Sequence, residues 1–361
     1  MVFYNQAGCA LTSSDDRGMI DNRYYIFKSN VLGEGTFAKV YLAINVKTGL
    51  RLACKIFPRT RPGASIRTGD AASSAQTESI QKEISILQEI NHPNIVSIHD
   101  YIEDKQAAYI FLTRMAGGEL FDYIINHNGI PEYEAKFIFY QALVAVEYLH
   151  NRHIAHRDLK PENFLFESPK PFSRLILTDF GLAKMTNDYL GRMKTKCGTF
   201  SYLAPEVLEV KNTCQGYSAR VDCWSLGVLL FTMLSATLPF GSDEDLAVLN
   251  HRVKHGLYSF PDKDGWDKIT DSAKDLIRSL LRSNPEDRLS IEQIFEHPWI
   301  ASQRDLLAKL YQKMLEKCGL SVEAVESAAS SHSAAAPKRP FDEMHDSSAT
   351  VSPHVRKRPV I

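Results

Sequence analysis

Asp158 stands in the run His156-Arg157-Asp158-Leu159-Lys160-Pro161-Glu162-Asn163, which brings a carboxylate, an ammonium and a side-chain amide close together in sequence. A carboxylate at Asp158 can accept the proton of an attacking hydroxyl. The Lys160 ammonium can offset charge on a transferring phosphoryl group, and Asn163 offers an oxygen to a metal ion. Asp179-Phe180-Gly181, after the apolar run Leu175-Ile176-Leu177, adds a second hard oxygen ligand. Mg²⁺ keeps several waters and binds through one or two carboxylates plus substrate phosphates, so Asn163 and Asp179 suffice without a dedicated cage.

Upstream, Gly33-Glu34-Gly35-Thr36-Phe37-Ala38-Lys39-Val40 lies between two strand-like runs. Glycines there let backbone N–H groups approach phosphate oxygens, although alone the pattern fits a hairpin turn equally well. Ala38 takes the third glycine place of G-x-G-x-x-G and is small enough to keep close approach. Lys55 closes the next strand in Leu52-Ala53-Cys54-Lys55 and needs a carboxylate to hold it over phosphates. Glu83 supplies one from a following helix. A solvated lysine and an exposed helix glutamate are the ordinary readings of each alone. All these motifs occur in order and are followed by Ala204-Pro205-Glu206, and that joint occurrence removes coincidence.

The elements that must carry these groups fall into two parts. From Tyr24 to about Lys55 short apolar or alternating runs predict strands, punctuated by Gly33-Glu34-Gly35 and Lys47-Thr48-Gly49. Residues 58–77 are rich in Arg, Gly, Ala and Ser and predict a long loop. Ile80, Ile84, Leu87 and Ile90 then give helical spacing from Glu78 to Ile90. Beyond Thr113 the pattern turns helical, with buried helices expected over 137–149, 221–234, 273–281 and 291–300. The expected fold is therefore α+β and bilobal, with a small β-rich N-lobe (about 24–112) and a larger α-helical C-lobe (about 116–300). A flexible lead-in covers 1–23, an amphipathic helix 301–320, and a tail 321–361 too poor in apolar residues to order itself.

Bulk composition narrows the class. With 361 residues, 44% hydrophobic and 24% charged, the chain can bury a core without disulfides or structural metal. A formal net charge of -1 offers no global attraction to nucleic acid or an anionic membrane. Its six cysteines form no C-x-x-C pair, no apolar run is long enough to span a membrane, and no secretory signal opens the chain. These features point to a reducing compartment, cytoplasm or nucleus.

Over Tyr24–Ile300 these motifs resemble the eukaryotic protein kinase family. The resemblance implies ATP and Mg²⁺ as cofactors and a Lys55–Glu83 ion pair. It implies nucleotide contacts from Gly33, Glu34, Gly35, Thr36, Val40, Ala53, Leu165 and Asp179. Hinge hydrogen bonds would come from the backbone near Thr113 and Met115, with Leu112 as gatekeeper, and Leu87, Ile98, His156 and Phe180 would stack as an apolar spine. Asp222 would hold the catalytic loop from below, and Glu206 would pair with Arg288. Lys160-Pro161-Glu162-Asn163 is similar to the Ser/Thr pattern, and Thr199 would bond to Asp158 and Lys160. Glu119 and Glu162 would favour substrates with Arg upstream of the target hydroxyl; a ribose contact is the other reading of Glu119. Arg157 beside Asp158 implies an activation segment switched by phosphate, with Thr195 foremost and Thr199 and Thr186 behind it, supplied by an upstream kinase or by autophosphorylation in trans. A pseudokinase scaffold is the rival class, and the presence of Lys55, Glu83, Asp158, Asn163 and Asp179 argues against it.

Within that family the runs Ala116–Asp122 and Tyr217–Val228 resemble the calcium/calmodulin-dependent kinase group. Lys196-Cys197-Gly198-Thr199 and His297-Pro298-Trp299 are most like the checkpoint kinase two family, which implies a role in checkpoint signalling. The stretch before Tyr24 is too short for the forkhead-associated domain of those proteins. Leu306, Leu307, Leu310, Met314 and Leu315 share a helical face among Arg304, Lys309, Lys313 and Lys317. That pattern reads as a helix docked on the large lobe, or as a calmodulin target. Pro337-Lys338-Arg339-Pro340 and Arg356-Lys357-Arg358-Pro359 suit nuclear import, against the bland reading of a solvated charged tail.

Overall fold

The computed structural model describes residues 17–35, 38–59, 71–181, 201–209, 219–241 and 245–320. The strand-like N-terminal runs pair as a six-stranded antiparallel sheet: β1 (Arg17–Ile20), β2 (Tyr24–Glu34), β3 (Lys39–Asn45), β4 (Arg51–Pro58), β5 (Ile98–Glu103) and β6 (Ala107–Thr113), in the order β1-β2-β3-β4-β6-β5. Alternation puts Ile26, Ala43, Leu52, Cys54 and Phe111 into one small core, where the Tyr24 ring stacks on Phe111 at 3.8 Å. The expected lead-in to residue 23 changes in one respect. Arg17–Ile20 forms the edge strand β1, because its backbone pairs with Tyr24–Phe27.

Helix α1 spans Ala71–Glu89, seven residues earlier than the apolar spacing indicated. Its first turns hold Ala and Ser, with no apolar period to read, yet alanine is the best helix former. The C-lobe follows with α2 (Leu120–Asn126), α3 (Glu132–His150), the hairpin β7 (Phe164–Phe166) and β8 (Leu175–Leu177), α4 (Pro205–Glu209) and α5 (Arg220–Ser235). It continues through α6 (Leu246–His255), α7 (Asp271–Leu280), α8 (Ile291–Glu296), α9 (Pro298–Ala301) and α10 (Arg304–Lys317). Val221 to Ser235 are all buried, so α5 is the central post of the lobe rather than an amphipathic surface helix. The single helix expected over 291–300 is two, since His297 is extended before Pro298, as pre-proline sterics demand.

Helix α10 docks on the large lobe by part of the face expected, with Tyr311 added and two leucines left out. Leu307, Tyr311, Met314 and Leu315 are buried, whereas Leu306 and Leu310 are exposed. Among the described residues no helix is long and apolar enough to cross a membrane.

Two contacts fix the lobes for the site. Past β6 the chain runs back along β7: Ala116 N–H donates to Glu167 O at 3.0 Å and Gly117 N–H to Phe166 O at 2.9 Å. A Cβ on Gly117 would come within 2.6 Å of both Phe166 Cβ and the Ser168 carbonyl carbon. Gly117→Ala should therefore cost about 1–3 kcal/mol of stability by overpacking, read by urea unfolding; a neutral result would mean the strand slides freely on β7.

The second contact is Asp222, fully buried in the first turn of α5. Its carboxylate accepts from His156 N–H (2.9 Å), Arg157 N–H (2.7 Å) and His150 Nε2 (2.9 Å). Burial works against its ionisation, but these bonds, His150's foremost, outweigh it and hold the carboxyl below its usual range. A depressed folded-state value means the unfolded chain binds the extra proton. The stability Asp222 contributes is thus present above the ordinary carboxylate value and lost as pH falls through the folded one. Replacing it by Asp222→Asn should flatten the fall in unfolding free energy below about pH 4, measured by denaturant titration at stepped pH.

Candidate active site

Register places the nucleotide-side residues on one surface of the N-lobe sheet. Val40 is the cross-strand partner of Gly33 and Lys55, and Ala53 of Leu42 and Leu112. Opposed residues of antiparallel strands share a face, and positions two apart return to it. Gly33, Val40, Ala53, Lys55 and Leu112 therefore line one concave side. The Gly-rich turn closes through Gly35 N–H to Ala38 O at 2.8 Å, and Glu34 pairs with Lys39 on its outer side at 2.9 Å. Nothing lies within 4 Å of where a Gly33 Cβ would be, so the backbone is open to an approaching anion. Thr36 lies outside the described residues.

Lys55 Nζ sits between two carboxylates, Glu83 Oε1 at 2.7 Å and Asp179 Oδ1 at 2.9 Å. Burial alone would depress the ammonium, but Asp179 and Glu83 outweigh it and keep Lys55 above its usual value and charged. The Lys55 ammonium holds the Asp179 carboxyl down at about 2, whereas burial pushes the enclosed Glu83 up against the pull of Lys55. The Asp179 side chain is half-exposed and so keeps a side open to a ligand.

Below it, Lys160 Nζ donates to Asp158 Oδ2 at 2.9 Å. Burial raises the Asp158 carboxyl, with Lys160 opposing. Asn163 Nδ2 donates to Asp158 O at 2.7 Å and to Asp158 Oδ2 at 3.0 Å. The amide's nitrogen being taken up by Asp158, its Oδ1 is the atom that remains to coordinate. Asn163 and Asp179 together offer hard oxygen donors, one of them an ionised carboxylate, and this set fits Mg²⁺.

The loop backbone is strained where it carries these groups. Arg157 has φ 69 and Asp179 φ 62, left-handed values that cost non-glycine residues of the order of 1–3 kcal/mol each. Asp222 holds the first. The second is flanked by Thr178 N–H to Asn163 O at 2.8 Å and by the His156–Phe180 ring contact at 4.9 Å. Leu87 and Phe180 belong to one buried cluster with Ile98 packed against it.

At the other linker Thr113 N–H is taken by Ser97 O, and its hydroxyl meets His99 Nε2 at 2.9 Å. Arg114 and Met115 lie between that bond and the β7 ladder. Leu165 on β7 pairs with Ile176 and bridges to Glu119. Burial raises the Glu119 carboxyl, helped by Asp122 and Glu162 and opposed by Lys160, so these charges share one field. Glu206 and Arg288 form a two-bond pair at 2.9 and 3.1 Å. Thr186, Thr195 and Thr199 lie outside the described residues.

Two groups at this site were not legible from spacing. His150 sits at the end of α3, and its only sequence signal is its closeness to His156. Asp122, three residues past Glu119, had read as part of a family likeness rather than as a charge.

Comparison with known proteins agrees with the geometry. The chain is 37% identical over 283 residues to "Probable serine/threonine-protein kinase fhkC" of Dictyostelium discoideum, covering 78% of this chain and 45% of that one. It is also 37% identical over 281 residues to "Probable serine/threonine-protein kinase fhkE" of the same organism, covering 77% and 38%. The chain thus spans less than half the length of either relative. A family model for the protein kinase domain matches residues 26–300. The chain belongs to the protein kinase family.

Proposed function

We propose that this chain transfers the γ-phosphoryl group of ATP to serine or threonine hydroxyls of protein substrates. The observation that carries the reading is the meeting of two charged sets across the cleft, Lys55–Glu83–Asp179 and Asp158–Lys160–Asn163. Mg²⁺ held by Asn163 and Asp179 would offset phosphate charge. Lys55, kept protonated by two carboxylates, binds phosphate oxygens under the Gly33–Gly35 backbone. The raised Asp158 carboxylate takes up the substrate hydroxyl proton while Lys160 balances charge on the moving group. The Lys160-Pro161-Glu162-Asn163 run and the names of the two relatives support serine and threonine as acceptors. Asp158→Ala should lower transfer to a serine peptide by about 10²-fold or more with the thermal midpoint little changed; undiminished transfer would overturn the mechanism.

Substrates carry basic residues upstream of the acceptor. Burial, with Asp122 and Glu162 nearby, raises the cost of ionising Glu119, and an arginine beside it relieves that cost. In Glu119→Gln with Glu162→Gln the KM of an Arg-bearing peptide should rise roughly tenfold while that of a peptide lacking the arginine holds. A rise in the KM of ATP instead would assign Glu119 to the ribose.

Thr195 is the activating phosphosite, reached by an upstream kinase or in trans, and Arg157 is the cation it addresses. The likeness to the calcium/calmodulin-dependent group and the checkpoint kinase two family supports a role in checkpoint signalling, and the two basic clusters of the tail support residence in nucleus and cytoplasm. Calmodulin is the weaker partner, because the apolar face it would need on α10 is half used against the lobe.

A further inference from the structure

Residues 91–97 join α1 to β5, and Asn91, Pro93, Asn94 and Val96 there are each hydrogen-bonded to the large lobe. Asn91 N–H donates to the Tyr148 hydroxyl at 2.9 Å, and Arg174 Nη1 donates to Pro93 O at 3.0 Å. Val96 N–H donates to Leu177 O at 3.0 Å, and Leu177 N–H returns to Asn94 O at 2.8 Å. The Asn94 side chain is the centre of this knot: Nδ2 donates to Leu175 O at 2.7 Å and to Gln141 Oε1 at 3.2 Å. Its Oδ1 accepts from the Tyr311 hydroxyl at 2.5 Å. Asn94 is 1% exposed and Tyr311 9%, so the bond is buried.

Tyr311 comes from α10, beyond residue 300 where the kinase family match ends. The helix is seated by Leu307, Met314 and Leu315, and the Tyr311 ring meets Tyr140 edge-on at 5.9 Å. Burial pushes the phenol up, so it stays protonated and donates. The end of α10 reaches the same neighbourhood a second time. Cys318 Sγ donates to Glu167 Oε2 at 3.2 Å, and Glu167 both pairs with Arg174 and accepts the Ala116 N–H through its carbonyl.

We propose that Tyr311 is a positioning residue for phosphoryl transfer: its hydroxyl sets Asn94, and through residues 91–97 the end of α1, so that Glu83 meets Lys55. The catalytic consequence rests on the kinase reading above; the mechanical coupling does not. Without the hydroxyl, Asn94 Oδ1 is a buried acceptor lacking its donor, and the segment shifts to recover one. Helix α1 moves with it, being the element whose C-terminal end the segment holds.

The test is Tyr311→Phe in the full chain, which keeps the ring against Tyr140 and the helix docked. Turnover of a serine peptide should fall about three- to tenfold, as for loss of one buried hydrogen bond, with the peptide KM held. Amide hydrogen exchange should quicken over residues 83–97. In a Glu83→Gln background the same change should add no further loss, because both act on one ion pair. Leu306→Ala, at an exposed position of the same helix, should leave turnover and exchange as they are. Unchanged turnover, an additive loss with Glu83→Gln, or exchange quickened in α10 alone overturns the proposal. Should the unaltered chain transfer no phosphate, the kinase reading fails separately, and exchange over 83–97 alone decides the clamp: quickened supports it, unchanged overturns it.

Discussion

An ammonium taken out of water needs its charge matched, and Lys55 is matched twice. Moving such an ion inside costs several kcal/mol even after relaxation, and removing one partner of a buried pair costs about 3–5 kcal/mol. Lys55, with only 14% of its side chain exposed, is bonded to Glu83 from α1 and to Asp179 from beyond β8. The three groups come from the sheet, from the helix behind it and from the other lobe. None can leave without stranding a charge. The nucleotide side of the cleft therefore assembles as a unit, and the position of α1 becomes a matter of electrostatics as much as of packing.

The catalytic side obeys a different constraint. Its groups sit on irregular backbone, where Arg157, beside Asp158, is at left-handed φ. Such a loop keeps its shape only if rigid neighbours over-determine it. Asp222 does so from the first turn of the most buried helix, gripping two consecutive amides and His150 at once. Asn163 then ties the loop to itself through Asp158. The rigid C-lobe core and the strained loop are thus one device: α5 is apolar nearly throughout, and its one buried carboxylate faces the loop that carries the chemistry.

These relations explain what could be read in the residues beforehand. Lys55, Glu83, Asp158, Asn163 and Asp179 were legible because chemistry restricts the residue type at each place, and order along the chain restricts it again. The two lobes were legible from the change of apolar period near Thr113. Elements that answer to neighbours rather than to their own pattern were less so. Strand β1 is four residues, too short for alternation to register, and exists by pairing with β2. Helix α1 starts in an Ala/Ser run with propensity but no period. In α10 the stripe Leu306, Leu307, Leu310, Met314 and Leu315 looked complete, yet the lobe surface takes Leu307, Met314 and Leu315 with Tyr311 and leaves Leu306 and Leu310 exposed.

That last choice follows from shape and polarity together. An aliphatic side chain at Tyr311's place could cover Tyr140 as well, but it could not satisfy Asn94, whose Oδ1 lies in an apolar cluster. An unsatisfied buried acceptor costs about 1–3 kcal/mol, comparable with burying one more leucine. Satisfying Asn94 by turning the phenol inward therefore offsets the burial of one of the two leucines left in water, and the buried Tyr311 ring adds to it. A stripe of leucines records only the apolar half of that balance. The polar half becomes visible only when Asn94, far away in the chain, is brought alongside.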